Sequence, residues 1–310
     1  MPFSSWPPAF HQNVAEAIGR IRRHLSPRRL PKSLYHYTSI NGALGIIDSR
    51  ALWATCVEDL DDPSEICHGV EMVQVEVQRR QELCLPRFPE QVLRFLSEVL
   101  IARRAWTFVA CFRPKLVEKE RGSYCLEFET PSDWEPRLRL SGLDADVQYH
   151  RVIYQPSQKR EAIHRAIDSI VIAAVRTSQG DLQGPWAESI ARSHARIASQ
   201  SLMNLIASFK CCIYEWEDEW RIVCGPRYSS NGAPDMYDNR FRPLIKGGNK
   251  ESKRHVQLRL PHQQRGVIVA FPSSEIPFNR IYFRSDAEHQ RIRDALRDGG
   301  RPDIEILEHP

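Results

Sequence analysis

Segments of two kinds follow one another irregularly along this chain, and their order limits the folds that it can adopt. Short runs of apolar, aromatic and β-branched residues, such as residues 106–112 and 266–270, predict buried strands. Longer segments with apolar residues three or four positions apart, such as residues 158–177 and 186–209, predict helices. The two kinds do not alternate as regular βαβ units. We therefore expect an α+β fold in which helices flank a mainly antiparallel mixed sheet.

Composition divides the chain into three parts. Residues 1–33 hold five prolines and one amphipathic stretch, and predict a helical leader. Residues 34–275 contain most of the predicted strands and form the expected main domain. Residues 276–310 predict a C-terminal helix and strand packed on the same domain. Within the main domain, residues 225–253 are rich in Gly, Asn, Pro and charge, and predict a long loop.

Charge and cysteine content exclude several classes of protein. The chain has 43 Lys and Arg against 39 Asp and Glu, and a net charge of +4 is too balanced to indicate a nucleic-acid or membrane surface. Neither a secretory signal nor a spanning helix is expected. The eight cysteines form no C-x-x-C pair, so they predict reduced core residues, without a metal role. We expect a cytoplasmic protein that does not bind a membrane.

A histidine lies inside a short apolar strand at His36. Burying an imidazole is unfavourable unless its ring nitrogens find partners. One interpretation is a structural histidine beside a helix start. The other places the ring in a cleft, where it hydrogen-bonds a ribose or phosphate while Thr38 supplies a hydroxyl.

Two carboxylates follow one another closely at Glu217 and Glu219. On a strand they project from the same face about 6 to 7 Å apart, which suits electrostatic support of a cationic transition state. The same pattern also describes an ordinary edge strand whose carboxylates pair with arginines. We predict Glu217 and Glu219 as candidate catalytic residues and leave the structural interpretation open.

A third acidic group consists of Asp61, Asp62 and Glu65. Three carboxylates within five residues suit a hard cation, but they also describe the N-terminus of a helix. Helix capping is the preferred interpretation. Cys111 lies in an apolar strand and is expected to be a core residue.

Several of these motifs resemble a known bacterial family. The runs at residues 34–38, 52–55 and 62–65, the strand at 109–112 and the Glu-Asp-Glu-Trp-Arg run at 217–221 are similar to the domain of unknown function 2971 family. The resemblance covers about residues 34–275. Between Phe112 and Tyr124 this chain lacks the Trp and the His-Tyr pair that many members carry.

A weaker resemblance is to ADP-ribosyltransferases of the histidine-tyrosine-glutamate class. It implies an ADP-ribosyltransferase-like fold that takes NAD as substrate, with His36 on a ribose of NAD and Thr38 beside it. Glu219 or Glu217 would stabilise the positive charge that develops as the glycosidic bond breaks. The stacking aromatic is left open between Trp53, Tyr124 and Tyr154.

These resemblances favour NAD-dependent ADP-ribosyl transfer to a protein or nucleic-acid acceptor, as in a toxin or defence effector. A non-catalytic binding or regulatory module is the main alternative. A metal-dependent hydrolase or nuclease that uses Asp61, Asp62, Glu65 and Glu217 is the second alternative.

Overall fold

The structure is a computed structural model. It describes residues 8–25, 30–49, 51–60, 64–83, 85–103, 107–117, 124–130, 139–140, 145–179, 185–226, 244–246, 264–270, 278–283 and 289–309. The helices in these ranges are α1 Pro8–Leu25, α2 Ile40–Ser49, α3 Ser64–Gln81, α4 Arg87–Arg103, α5 Pro156–Ser178, α6 Pro185–Ile206 and α7 His289–Asp298. The strands are β1 Ser33–Thr38, β2 Ala51–Cys56, β3 Phe108–Phe112, β4 Tyr124–Glu129, β5 Arg139–Leu140, β6 Ala145–Arg151, β7 Trp220–Pro226, β8 Leu244–Lys246, β9 Gln264–Ala270, β10 Arg280–Phe283 and β11 Glu305–Glu308.

The strands form two sheets. The small sheet has the order β1-β4-β10-β11, and the large sheet has the order β5-β9-β2-β3-β7-β6 with β8 paired to β9. The pairs between described strands are antiparallel, except that β10 and β11 run parallel. The α+β class with a mainly antiparallel arrangement is therefore confirmed. Residues 255–260, whose sequence also predicts a strand, lie outside the described residues.

The alternation of side chains along β3 and β7 separates two hydrophobic cores. Phe108, Ala110 and Phe112 face the small sheet and the helices α2 and α7. Val109 and Val223 face the other way, into a core built mainly by α1, α3, α4, α5 and α6. The large sheet is therefore covered on both faces, and a residue's position along a strand decides which core it meets.

Local chemistry sets the start of α2 behind β1. The Ser39 hydroxyl accepts a hydrogen bond from the backbone N–H of Gly42 at 3.2 Å, as an N-cap residue does. A Cβ atom at Gly42 would lie 2.0 Å from the Thr38 hydroxyl oxygen, so a glycine is needed there. The end of β1 is thereby packed tightly against α2.

Among the described helices, none combines the length and apolar character that crossing a bilayer requires.

Candidate functional site: an ion network behind a short helix

His36 lies on β1 of the small sheet, and its side chain faces the core between the two sheets. Its ring centroid is 5.5 Å from that of Phe112, a residue of the core shared by the two sheets. Its Nδ1 donates a hydrogen bond to the Cys111 carbonyl oxygen at 2.9 Å, so Nδ1 carries a proton, because a carbonyl can only accept. Burial lowers the pKa of His36. The position between the sheets thus favours the uncharged imidazole.

Glu219 precedes β7 of the large sheet and lies on the face of that sheet that points away from the small sheet. It alternates in phase with Arg221 and Val223, and Val223 packs into the helical core. Glu219 is only 2% exposed, and its Oε1 accepts a hydrogen bond from Arg221 Nε at 2.5 Å. Arg221 also donates to the backbone oxygens of Ala207 and Phe209 at 2.9 and 3.3 Å. The structure does not bring His36 and Glu219 to one face.

Lys210 supplies the second cation for Glu219. Its Nζ lies 2.6 Å from Glu219 Oε2 and also contacts Glu217 Oε2. Burial by itself would raise the pKa of Glu219, but Arg221 and Lys210 hold it well below its usual range. For Lys210 burial by itself would lower the pKa, but Glu219 and Glu217 raise it. Both partners therefore stay charged, as a buried pair requires.

Glu217 is bound at the rim of this group of charges. Arg113 Nη1 lies 2.9 Å from Glu217 Oε2 and donates to the Glu217 backbone oxygen at 3.0 Å. Three cations therefore surround two carboxylates. We call Arg113, Lys210, Glu217, Glu219 and Arg221 the ion network.

The strand predicted for the Glu-x-Glu pair is wrong at Glu217. This residue ends a 3-10 helix, Cys212–Glu217, and β7 begins only at Trp220. Asp218 between the two glutamates adopts φ 44°, the one positive φ of a non-glycine residue within the described ranges. The left-handed residue reverses the chain, and Lys210 gathers the two carboxylates across it.

Arg113 also joins the ion network to the strand of His36. The backbone N–H of Tyr35 donates to Arg113 O at 2.9 Å, and the N–H of Arg113 donates to Tyr35 O at 2.8 Å. β1 and Glu217 therefore meet through one arginine at the junction of the two sheets.

The other predicted NAD-binding residues are scattered. Thr38 packs against α2, and Tyr124 is 2% exposed in the core between the sheets. Tyr154 is buried, and its hydroxyl accepts the Glu219 backbone N–H at 2.8 Å, while burial raises its pKa to about 12. The Trp53 side chain lies outside the described residues.

The predicted acidic cluster cannot be described, because Asp61, Asp62 and the Glu65 side chain lie outside the described residues. In the rest of the chain that the structure describes, no group of three or more His, Cys, Asp or Glu side chains is arranged to hold a metal ion. Burial and Glu219 raise the pKa of Cys111 to about 12, so its thiol is protonated at neutral pH.

The 3-10 helix has three distinct sides. Because such a helix has three residues per turn, side chains three positions apart lie above one another. On one side, Tyr214 lies with its ring centroid 5.3 Å from Lys210 Nζ, above Glu217 of the ion network. On the second side, Gln155 Nε2 donates to Glu215 at 2.5 Å, and Arg151 binds Asp218 just beyond the helix end at 2.8 Å.

The third side consists of Ile213 and Trp216, which are 68% and 64% exposed. The Arg113 guanidinium lies 5.8 Å from the Trp216 ring centroid and holds that ring from one side. We call these two side chains the ridge. Side chains on two sides of the helix thus contact the rest of the protein, and the third side exposes apolar surface.

Sequence reasoning missed Lys210, Arg113 and Ile213. Arg113 is 104 positions from Glu217, so only the fold reveals that pair. Lys210 could have been found from the sequence as a candidate partner, since it lies only seven and nine positions before the two glutamates. The ridge could also have been found from the sequence, because Ile213 and Trp216 are apolar residues three positions apart, which places them on one side of a 3-10 helix.

Comparison of the chain with protein-family models, with curated proteins and with solved structures finds no match. The two family resemblances described above therefore stay predictions.

Proposed function

We propose that this protein is a non-catalytic binding module that holds a protein partner through the ridge. The observation that carries this proposal is the contrast on one short helix: Glu217 is anchored in the ion network, while Ile213 and Trp216 are about two-thirds exposed. Large apolar side chains grouped on a surface mark interaction sites more often than single ones do.

The ion network gives the ridge its rigidity. Tyr214 and Glu217 contact Lys210, and Arg113 binds Glu217 while lying over the Trp216 ring. A contact surface that is already ordered loses less conformational entropy when it binds. On this account the carboxylates and cations fix the position of the helix, and no substrate has to reach them.

The expected partner is a protein with an apolar pocket that accepts an indole. Tryptophan is enriched among residues that dominate binding energy, and such residues work by filling a desolvated pocket. A tryptophan side chain buries roughly 150 to 250 Å² when it is covered, so the ridge would form the centre of an interface and not its whole area.

Cysteine chemistry offers a direct test. Cys212 is exposed and precedes Ile213, whereas Cys67 is exposed on α3. A photoreactive maleimide is attached to Cys212 in the Cys67→Ser variant, and to Cys67 in the Cys212→Ser variant. Both proteins are then illuminated in extract from the source cells, and mass spectrometry identifies the labelled residue and the captured protein.

We expect the probe on Cys212 to capture one protein partner, and this capture should disappear when Trp216→Ala is added. The probe on Cys67 should not capture that partner. Equal capture from both cysteines, or capture that Trp216→Ala leaves unchanged, would contradict the proposal.

ADP-ribosyl transfer from NAD remains the second candidate, and one observation favours it. Arg113 joins the strand of His36 to Glu217, whose side chain is 10% exposed compared with 3% for Glu219. Of the two glutamates, Glu217 is therefore the one nearer to solvent and the one that this candidate would use.

Nicotinamide release from NAD by purified protein tests this candidate. Glu215 provides a matched control, because it lies on the same helix outside the ion network and its carboxylate accepts a hydrogen bond from Gln155. Turnover that Glu217→Gln abolishes and Glu215→Gln preserves would establish NAD cleavage at Glu217, and incorporation of labelled ADP-ribose into an acceptor would then establish transfer. The binding-module proposal expects no turnover in any of the three proteins.

A further inference from the structure

His194 is a buried imidazole at the contact between α6 and α1. It is 0% exposed, and its ring meets the Phe10 ring edge-on with centroids 6.0 Å apart and an interplanar angle of 82°. Among the described residues neither ring nitrogen has a hydrogen-bond partner. The residues one turn away on α6 are apolar as well: Ile190, Ala191, Ile197 and Ala198.

No carboxylate of the described residues stabilises a charge on this ring. Burial is the one cause that lowers the pKa of His194, to about 4. Several charged groups on the surrounding helices contact one another or backbone oxygen. These contacts are Glu98 with Arg192 between α4 and α6, Glu16 with Arg176 between α1 and α5, Arg80 with Asp168 between α3 and α5, Lys159 with Lys210 O, and Glu219 with Arg221 at β7.

Of the two helices that meet at His194, α1 has its main contacts with fewer elements of the described structure. It packs on α5 and α6 through one apolar stripe that contains Phe10, Val14 and Ile21. Its polar contacts with other described helices include Asn13 to Thr177 at 3.2 Å and the half-exposed pair of Glu16 and Arg176. An exposed ion pair contributes little, so the apolar stripe provides most of the attachment. In contrast, α6 also packs on α4 and on β7.

We propose that α1 is an acid-released latch: a proton on His194 expels Phe10, and α1 leaves the surface of α5 and α6 while the sheets stay folded. The charged imidazole gains water only when Phe10 moves away. Release of α1 uncovers the apolar surface of α5 and α6 on which the stripe rests. This inference is independent of the ridge and of the proposed binding function.

The sign of the effect follows from the depressed pKa. A histidine that binds its proton less readily in the closed state than in water stabilises closure above its ordinary pKa of 6.5, and this stabilisation is lost as the pH falls towards 4. Between pH 7.5 and pH 4.5 the opening equilibrium should rise by roughly 70-fold.

Hydrogen exchange followed by mass spectrometry measures this opening in the whole protein. Exchange of α1 peptides is compared with that of α4 and β7 peptides across this pH range, after correction for intrinsic rates. We expect α1 to lose protection at a higher pH than α4 and β7 in the wild-type protein. Simultaneous loss in all three elements would overturn the latch, and this comparison needs no variant.

Two substitutions isolate the histidine from other acid effects. In His194→Phe and His194→Leu the acid-induced opening of α1 should disappear, whereas the exposed His164 changed to Gln should leave it intact. Persistence of the same acid response in both folded His194 variants would assign it to other groups and overturn the proposal.

Discussion

Lys210 Nζ lies 2.6 Å from Glu219 Oε2 and also contacts the carboxylate of Glu217, so one ammonium binds both ends of the turn at Asp218. This relationship explains why a 3-10 helix can change into a strand within three residues. The left-handed backbone of Asp218 turns the chain at this point. Lys210 holds together the carboxylates of the residues on either side of it.

Removing the charge of Glu219 should destabilise the protein strongly. Glu219→Gln leaves Arg221 without its buried carboxylate partner and Lys210 with Glu217 alone, and breaking a buried pair costs about 3 to 5 kcal/mol. Urea unfolding at neutral pH measures this loss. A loss below about 1 kcal/mol, which is typical of an exposed pair, would show that the network is not a brace.

Replacing each of the two tryptophans that flank this turn by alanine should change the free energy of unfolding by very different amounts. Trp216 is 64% exposed, so Trp216→Ala should change the free energy of unfolding by less than about 0.5 kcal/mol. Trp220 is 6% exposed in the core between the sheets, so Trp220→Ala should cost about 3 to 5 kcal/mol. Thermal unfolding of the two variants side by side checks the contrast, and equal losses would contradict it.

Gly225 should not tolerate a side chain unless α6 makes room for it. A Cβ atom there would lie 2.1 Å from Gln200 Nε2, and Gln200 is itself buried and bonded to Asn204 at 2.9 Å. Gly225→Ala should therefore destabilise the protein by about 1 to 3 kcal/mol. Adding Gln200→Ala removes the clash, so the double variant should lose less than the sum of the two single variants. Simple additivity in urea unfolding would contradict the close approach.

The cysteines should react in order of exposure and pKa. Cys212 is exposed, whereas Cys111 is half-buried with a pKa raised to about 12 by burial and by Glu219. Since the thiolate is the nucleophile, iodoacetamide at pH 8 should modify Cys212 and leave Cys111 unmodified until urea unfolds the chain. Peptide mapping follows both sites, and comparable rates in the folded protein would show that Cys111 is not shielded.

Periodicity predicted most of the fold because large apolar side chains recur at the spacing of the element that buries them. Phe10, Val14 and Ile21 indicated α1, and the apolar run at 106–112 indicated β3. The strands β5, β8 and β10 were not predicted; β5 and β8 have two and three residues, which is too few to establish an alternation. Short segments become strands when a neighbour with open backbone groups pairs with them.

The candidate site was predicted less completely. His36 and the two glutamates were found from their residue types, but their faces depend on register and on the φ angle of Asp218, which the sequence does not specify. Arg113 reaches Glu217 from a distant strand. Residue type therefore located the charges, and only the fold showed which charges neutralise one another.

Amide exchange within residues 212–217 tests most directly whether the ion network holds the ridge. The Tyr214 and Asp218 amides donate to the carbonyls of Cys211 and Glu215 at 3.0 and 3.2 Å, and Lys210 anchors the helix that these bonds define. Two-dimensional NMR of the wild-type protein and of Lys210→Met compares the protection of these amides with that of β6 and β7. The account predicts that Tyr214 and Asp218 are protected in the wild-type protein and lose protection in Lys210→Met, while β6 and β7 retain theirs. Protection of Tyr214 and Asp218 that survives Lys210→Met unchanged would contradict it.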